Sequence, residues 1–73
     1  MSNLRLLFGK KLRKIRRHRD LTQERLAELL DVSVEFVSNM ERGVNAPSFE
    51  TIEKITQAFN LPVNELFTFE EEK

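Results

Sequence analysis

No cysteine occurs in this chain, so disulfides and thiolate metal sites are excluded, and the single histidine, His18, cannot supply the usual two to four soft ligands of a zinc site. Long apolar runs are missing as well. The longest extend over about three residues, far short of the ~20 needed for a membrane span. The basic N-terminus lacks the apolar stretch and small-residue cleavage site of a secretory signal, so a soluble, cytoplasmic, non-membrane protein is expected. Neither a nucleophile-and-base constellation nor a Gly-rich phosphate loop nor a cluster of metal ligands is present, which argues against an enzyme and against any cofactor or metal. Alternating strand patterns are absent too, and Phe67-Thr68-Phe69 is too short to define one.

Net charge is the last absence: twelve Lys and Arg offset twelve Asp and Glu, which at first argues against a polyanion partner. The distribution reverses that. Residues 1–19 hold eight basic residues and no acidic one, so +8 at the front opposes −8 in the remainder. Standing alone, such a stretch is better explained by a solvated helix face than by a binding surface. At 73 residues the chain makes a single domain, 1–73, with a tail from about 68, close to the lower limit at which a core alone holds a fold. Dimerisation would add burial.

The apolar spacing predicts helices throughout. A first helix over about Leu4–Arg19, capped by Asn3, keeps Leu4, Leu7, Phe8, Leu12 and Ile15 on one stripe and Lys10, Arg13 and Arg17 on another face, with Leu6 off the stripe. A second starts after Thr22 and buries Leu26, Ala27 and Leu30. A third runs from Ser33 to Gly43, a residue free to turn left-handed. A fourth, capped by Ser48 after Pro47, buries Phe49, Ile52, Ile55 and Phe59, and a short fifth covers about Val63–Phe67 after Pro62. In the third helix Glu35, Ser38, Asn39 and Arg42 fall at i, i+3, i+4 and i+7, a polar face with nothing apolar to bury, while Val37 and Met40 point the other way. Two short helices at residues 22–43 joined by a tight corner, the second with a readable polar face, have the form of a helix-turn-helix.

Thr22-Gln23-Glu24, Leu26-Ala27, Val32-Ser33, Val37-Ser38 and Glu41-Arg42-Gly43, with Leu12-Arg13-Lys14-Ile15-Arg16 upstream and Ala46-Pro47-Ser48, Leu61-Pro62-Val63 and Glu65-Leu66-Phe67 downstream, stand in the order and register of one family. The chain resembles the phage repressor and Cro-like, or Xre, helix-turn-helix proteins over about sixty residues. The resemblance implies an all-α, five-helix lambda-repressor-like DNA-binding domain. It departs at Asp20, Asp31 and Asn60, where the family usually has glycine at helix ends. Asp and Asn tolerate the left-handed conformation best among other residues, so the corners are expected to survive, with Asp31 critical because it sets the angle between the second and third helices.

Residue by residue, the resemblance makes Ser33, Val34, Glu35, Ser38 and Asn39 the base-reading surface. Asn39 can pair with the N6 and N7 edge of adenine, and Val34 can pack on a thymine methyl. Two readings stand for Glu35: acceptance from a cytosine amine, or a carboxylate favoured by the helix dipole. Gln23 matches a phosphate-binding amide at a helix start, against the alternative of an ordinary surface residue. Phe36 matches an aromatic that touches the sugar-phosphate backbone, against packing beside Met40. Arg42 and Asn45 match phosphate contacts after the third helix, with Arg13 and Arg17, backed by Lys10, as further candidates. Arg16 and Glu41 match a partly buried structural ion pair.

These features lead to the expectation of a transcriptional regulator, a repressor or autoregulator, that binds double-stranded DNA as a homodimer on a palindromic operator. Leu61, Val63, Leu66, Phe67 and Phe69 exceed what a short fifth helix needs and form the expected dimer interface. The rival is a protein-interaction module of the same fold, antitoxin-like, whose third helix or acidic Glu70-Glu71-Glu72 end grips a protein partner.

Overall fold

In a computed structural model, residues 3–69 are described; they contain five helices, α1 (Leu4–His18), α2 (Gln23–Leu30), α3 (Val34–Glu41), α4 (Phe49–Phe59) and α5 (Val63–Leu66), and no strand. The acidic end at Glu70 to Glu72, with the last part of the tail, lies outside the described residues. None of these helices is long and apolar enough to cross a membrane.

Local chemistry sets the boundaries. Thr22, Ser33 and Ser48 each take extended backbone angles, and their hydroxyls accept from the N–H of Arg25, Phe36 and Thr51, at 3.0, 3.0 and 3.1 Å. Each such cap stabilises its helix by about 1 kcal/mol. Asn3 does not cap in this way: it flanks α1, but its side chain makes no cap hydrogen bond and its φ of −107° and ψ of 31° are not the extended pair a capping side chain needs. Basic Arg16, Arg17 and His18 in the last turn of α1 suit the negative end of the helix dipole. Asp20, Asp31 and Asn60 all turn left-handed, with φ of 56°, 58° and 56°. The three corners where glycine is usual therefore keep their geometry.

The core joins Phe8, Leu12, Leu26, Ala27, Leu30, Val37, Met40, Ile55, Phe59 and Leu66, with Ile15, Leu21, Val32, Phe36, Ile52, Ala58 and Leu61 packed around it. α1 packs chiefly on α3, and α2 on both α3 and α4. At Gly9 the backbone of α1 lies close against the end of α3. A Cβ there would stand 2.6 Å from the carbonyl oxygen of Glu41 and nearer still to that of Met40, so only glycine admits this approach.

The structure corrects several burial expectations. Phe49 is not buried: it is 84% exposed. Residues spaced by three drift about 60° per step around a helix, and with the stripe of α4 centred on Ile55 and Phe59, Phe49 has rotated off its edge. Leu4 and Leu7, at the free end of α1, are exposed as well, leaving Phe8 and Leu12 to hold that helix to the core. Leu66 is not available to a second copy, because it is wholly buried between α5 and the rest of its own domain. With four residues in α5, one side chain must anchor it, and Leu66 does so.

Candidate nucleic-acid interface

Val37 and Met40 are fully buried, which turns the opposite face of α3 outward. Val34, Glu35 and Arg42 are exposed on it, with Ser38 and Asn39 half-buried between them. The Ser33 hydroxyl oxygen sits at the helix start and is engaged in capping. Asn39 carries two loads. Its backbone carbonyl accepts from Val44 N–H at 2.9 Å and Asn45 N–H at 3.3 Å, which closes the helix, and its side-chain Oδ1 accepts from Arg42 Nη2 at 2.6 Å. The Asn39 amide therefore presents its N–H donors, with one lone pair of Oδ1 taken by Arg42. Gly43 follows with φ of 78°, over Leu6 of α1.

Beneath this face lies a buried polar knot. Arg16, 8% exposed, donates from Nε to Glu41 Oε2 at 2.6 Å and from Nη2 to Glu41 Oε1 at 3.1 Å; Glu41 is 7% exposed. Arg16 Nη1 donates to the Leu21 carbonyl at 2.7 Å, so one guanidinium ties α1 to α3 and to the turn before α2. Gln23 joins the knot, its Nε2 donating to Glu41 Oε1 at 3.0 Å. Its amide is thereby fixed at the start of α2 with one N–H left to offer a phosphate. Among the described residues no buried side-chain polar atom lacks a partner, which is the condition under which a buried ion pair is tolerated.

Phe36, in the first turn of α3, is half-buried and packs against the core. Arg13 and Arg17 lie with Lys10, Lys14 and His18 along a shallow basic cleft on α1 that no residue of α3 lines. They form a basic surface of their own and not an extension of the α3 stripe. Asn45 is half-buried in the segment after α3. Of the apolar residues at the C-terminal end, Leu61 packs on the core, Val63 is exposed, Phe67 stacks on Phe8 at 5.4 Å and Phe69 meets Phe67 edge-on at 6.5 Å.

Two features of the site escaped the sequence reading. Gly9 had a signal, since an isolated glycine inside a helical pattern marks either a weak helix or a close approach. The tie between Gln23 and Glu41 had none, because nothing in the spacing of residues on two helices says which amide meets which carboxylate.

Comparison with known proteins agrees with this geometry. Residues 12–66 match the helix-turn-helix family model. Control protein C.BamHI of Bacillus amyloliquefaciens is 39% identical over 69 residues, covering 93% of this chain and 85% of that protein. Control protein C.MunI of a Mycoplasma species is 33% identical over 69 residues, covering 93% of each chain. Among solved structures, the restriction-modification controller protein C.AhdI of Aeromonas hydrophila superposes with a TM-score of 0.81 at 35% identity, over 85% of this chain and 94% of that one. The outward polar face on α3, the capped corner before it and these matches together place the chain in the helix-turn-helix family of Cro- and Xre-like DNA-binding transcriptional regulators.

Proposed function

We propose that this chain is a homodimeric regulator that reads a palindromic operator with α3 and represses or autoregulates transcription, in the manner of a restriction-modification controller. The observation that carries the reading is the solvent-facing stripe of α3 held rigid from behind by Arg16, Glu41 and Gln23. Small control proteins matched along nearly their whole length support the controller role. In this reading Val34, Glu35, Ser38 and Asn39, with Ser33 at the helix start, meet base edges. Gln23, Arg42 and Asn45 hold phosphates beside them, Phe36 supports the helix from the core side, and Arg13 and Arg17 reach flanking phosphates. A DNA target goes with a cytoplasmic location.

Selection from a random duplex pool with the purified protein tests this directly. A two-fold symmetric consensus, and binding that weakens steeply with salt, are expected. No consensus and a flat salt dependence would overturn the reading in favour of a protein partner.

A further inference from the structure

The shallow basic cleft on α1 has a volume of about 410 Å³ and is lined by exposed Lys10, Arg13, Lys14, Arg17 and His18, with half-buried Lys11 beside it. Among the described residues no carboxylate pairs with Lys10, Lys11, Arg13 or Arg17. The densest acidic run of the chain, Glu70-Glu71-Glu72, has no part in the DNA reading and lies outside the described residues, but the residue before it is placed. Phe69 meets Phe67 edge-on at 6.5 Å, and Phe67 stacks on Phe8 of α1 at 5.4 Å. Glu70 follows Phe69 at one Cα step, about 3.8 Å. From Phe8, Lys11 and Lys14 come at successive steps of three, so they lead round α1 from the stacked ring to the cleft. That path advances about 9 Å along the helix, and the three residues after Phe69 span about 10 Å when extended. The acidic run can reach both lysines while everything described stays in place.

We propose that Glu70-Glu71-Glu72 docks on this face of α1, pairs with Lys11 and Lys14 at the edge of the cleft, and has to be displaced before a polyanion occupies it. The inference rests on the assignment of Arg13 and Arg17 to flanking phosphates and adds a regulation of that contact. Opposite charge and covalent linkage together favour this segment over a separate acidic partner. A tethered group acts at an effective concentration on the order of mM, whereas a free peptide gives up its translational freedom on binding. The lysines stand at a boundary with solvent, so each pair is weak and sensitive to salt, as a displaceable cover requires. Arg13 lies across the cleft from Lys14, four residues after Gly9 and so towards α3. A carboxylate run seated between them occupies the place where phosphates would sit, and it lowers affinity for operator and random duplex alike.

The test compares the wild-type chain with Glu70→Gln/Glu71→Gln/Glu72→Gln, each with and without Lys11→Gln/Lys14→Gln. Without DNA, backbone amide NMR spectra read the contact directly. Neutralising the acidic run should shift α1 resonances between Lys10 and His18, and salt that screens exposed pairs should abolish the difference. On random duplex DNA the triple variant should bind at least about threefold tighter, with a salt slope steeper by about 0.9 for each lysine freed. In the Lys11→Gln/Lys14→Gln background the same triple change should alter neither the spectra of α1 nor the affinity, because the partners it frees are gone. Identical α1 resonances in the wild type and the triple variant overturn the docking. So does a gain in DNA affinity that is undiminished in the lysine-free background, which would mean that net charge alone is at work. Shifted α1 resonances in a protein that binds no duplex leave the docking standing and fail the DNA reading instead.

Discussion

An arginine side chain can only donate, so the 2.6 Å contact from Arg42 fixes which way the Asn39 amide faces. In the proposed reading, the Arg42 bond takes one of the two lone pairs of Oδ1 and biases Asn39 towards acceptors, such as guanine N7 and O6 or thymine O4, over the mixed edge of adenine. Asn39→Ala should cost about 1 to 3 kcal/mol at the selected operator, erase preference at one symmetric base pair per half-site and spare affinity for random DNA. Arg42→Ala should release Oδ1 and move that preference towards adenine. Competition against single-base operator variants measures both, and an Asn39→Ala protein with unaltered preference everywhere would sink the assignment. The knot below α3 makes a stability prediction. Arg16→Ala or Glu41→Ala strands a buried charge and should cost on the order of 3 kcal/mol, whereas exposed Arg17→Ala should scarcely move the denaturant midpoint. Similar small effects from all three would mean the pair contributes nothing. At this scale the sequence made the parts legible through their match to a family pattern. It could not orient an amide, because that depends on which donor reaches it first in three dimensions.

Helix by helix, what was legible follows from how local each signal is. Thr22, Ser33 and Ser48 cap their own helices within three residues, and Asp20, Asp31 and Asn60 need only their own φ and ψ, so sequence reading locates them. Phe49 and Leu66 depend on how a helix is placed against its neighbours, and there periodicity assigned outward-facing Phe49 to the core, while the apolar surplus at the C-terminal end assigned buried Leu66 to an interface. Gly9 offers the sharpest test of helix packing. In an isolated helix Gly9→Ala would gain about 0.8 to 1 kcal/mol of propensity, but here the added methyl meets the carbonyls of Met40 and Glu41. The variant should unfold at lower denaturant than the wild type and bind its operator less well; a stabilised variant would show that α1 and α3 do not approach so closely. The corner before α3 behaves differently. Asp31→Gly should be nearly neutral, since relief of left-handed strain is offset by a freer unfolded chain, while Asp31→Val should cost about 1 to 2 kcal/mol. Thermal unfolding followed by circular dichroism distinguishes them.

For the whole molecule the uneven charge distribution matters more than its zero sum. Of the eight basic residues in positions 1–19, seven lie on α1 and six of these stand outside the buried Arg16–Glu41 pair, and the cleft of Lys10, Arg13, Lys14, Arg17 and His18 gathers part of that charge away from α3. Each phosphate contact adds about 0.9 to the slope of log affinity against log salt, so Arg13→Ala with Arg17→Ala should flatten that slope by about 1.8 and weaken specific and random binding alike. An unchanged slope would take α1 off the DNA. This polarity was legible in the sequence. The contact of Phe67 with Phe8 was not, because the two rings lie far apart along the chain and only folding brings them together.

The close approach at Gly9, pinned again at Arg16, leaves no joint between α1, which carries most of the positive charge, and α3, the proposed reading helix. A protein hinged there would rest loosely on any duplex and insert its reading helix only at a match. With α3 as the reading helix, as proposed, this one would bring a finished reading surface to every position it visits, so that each step along non-specific DNA is already a trial of the sequence beneath it. The time wasted at wrong positions is then set by how fast phosphate contacts let go, and ionic strength becomes a control on the speed of the search as much as on its outcome.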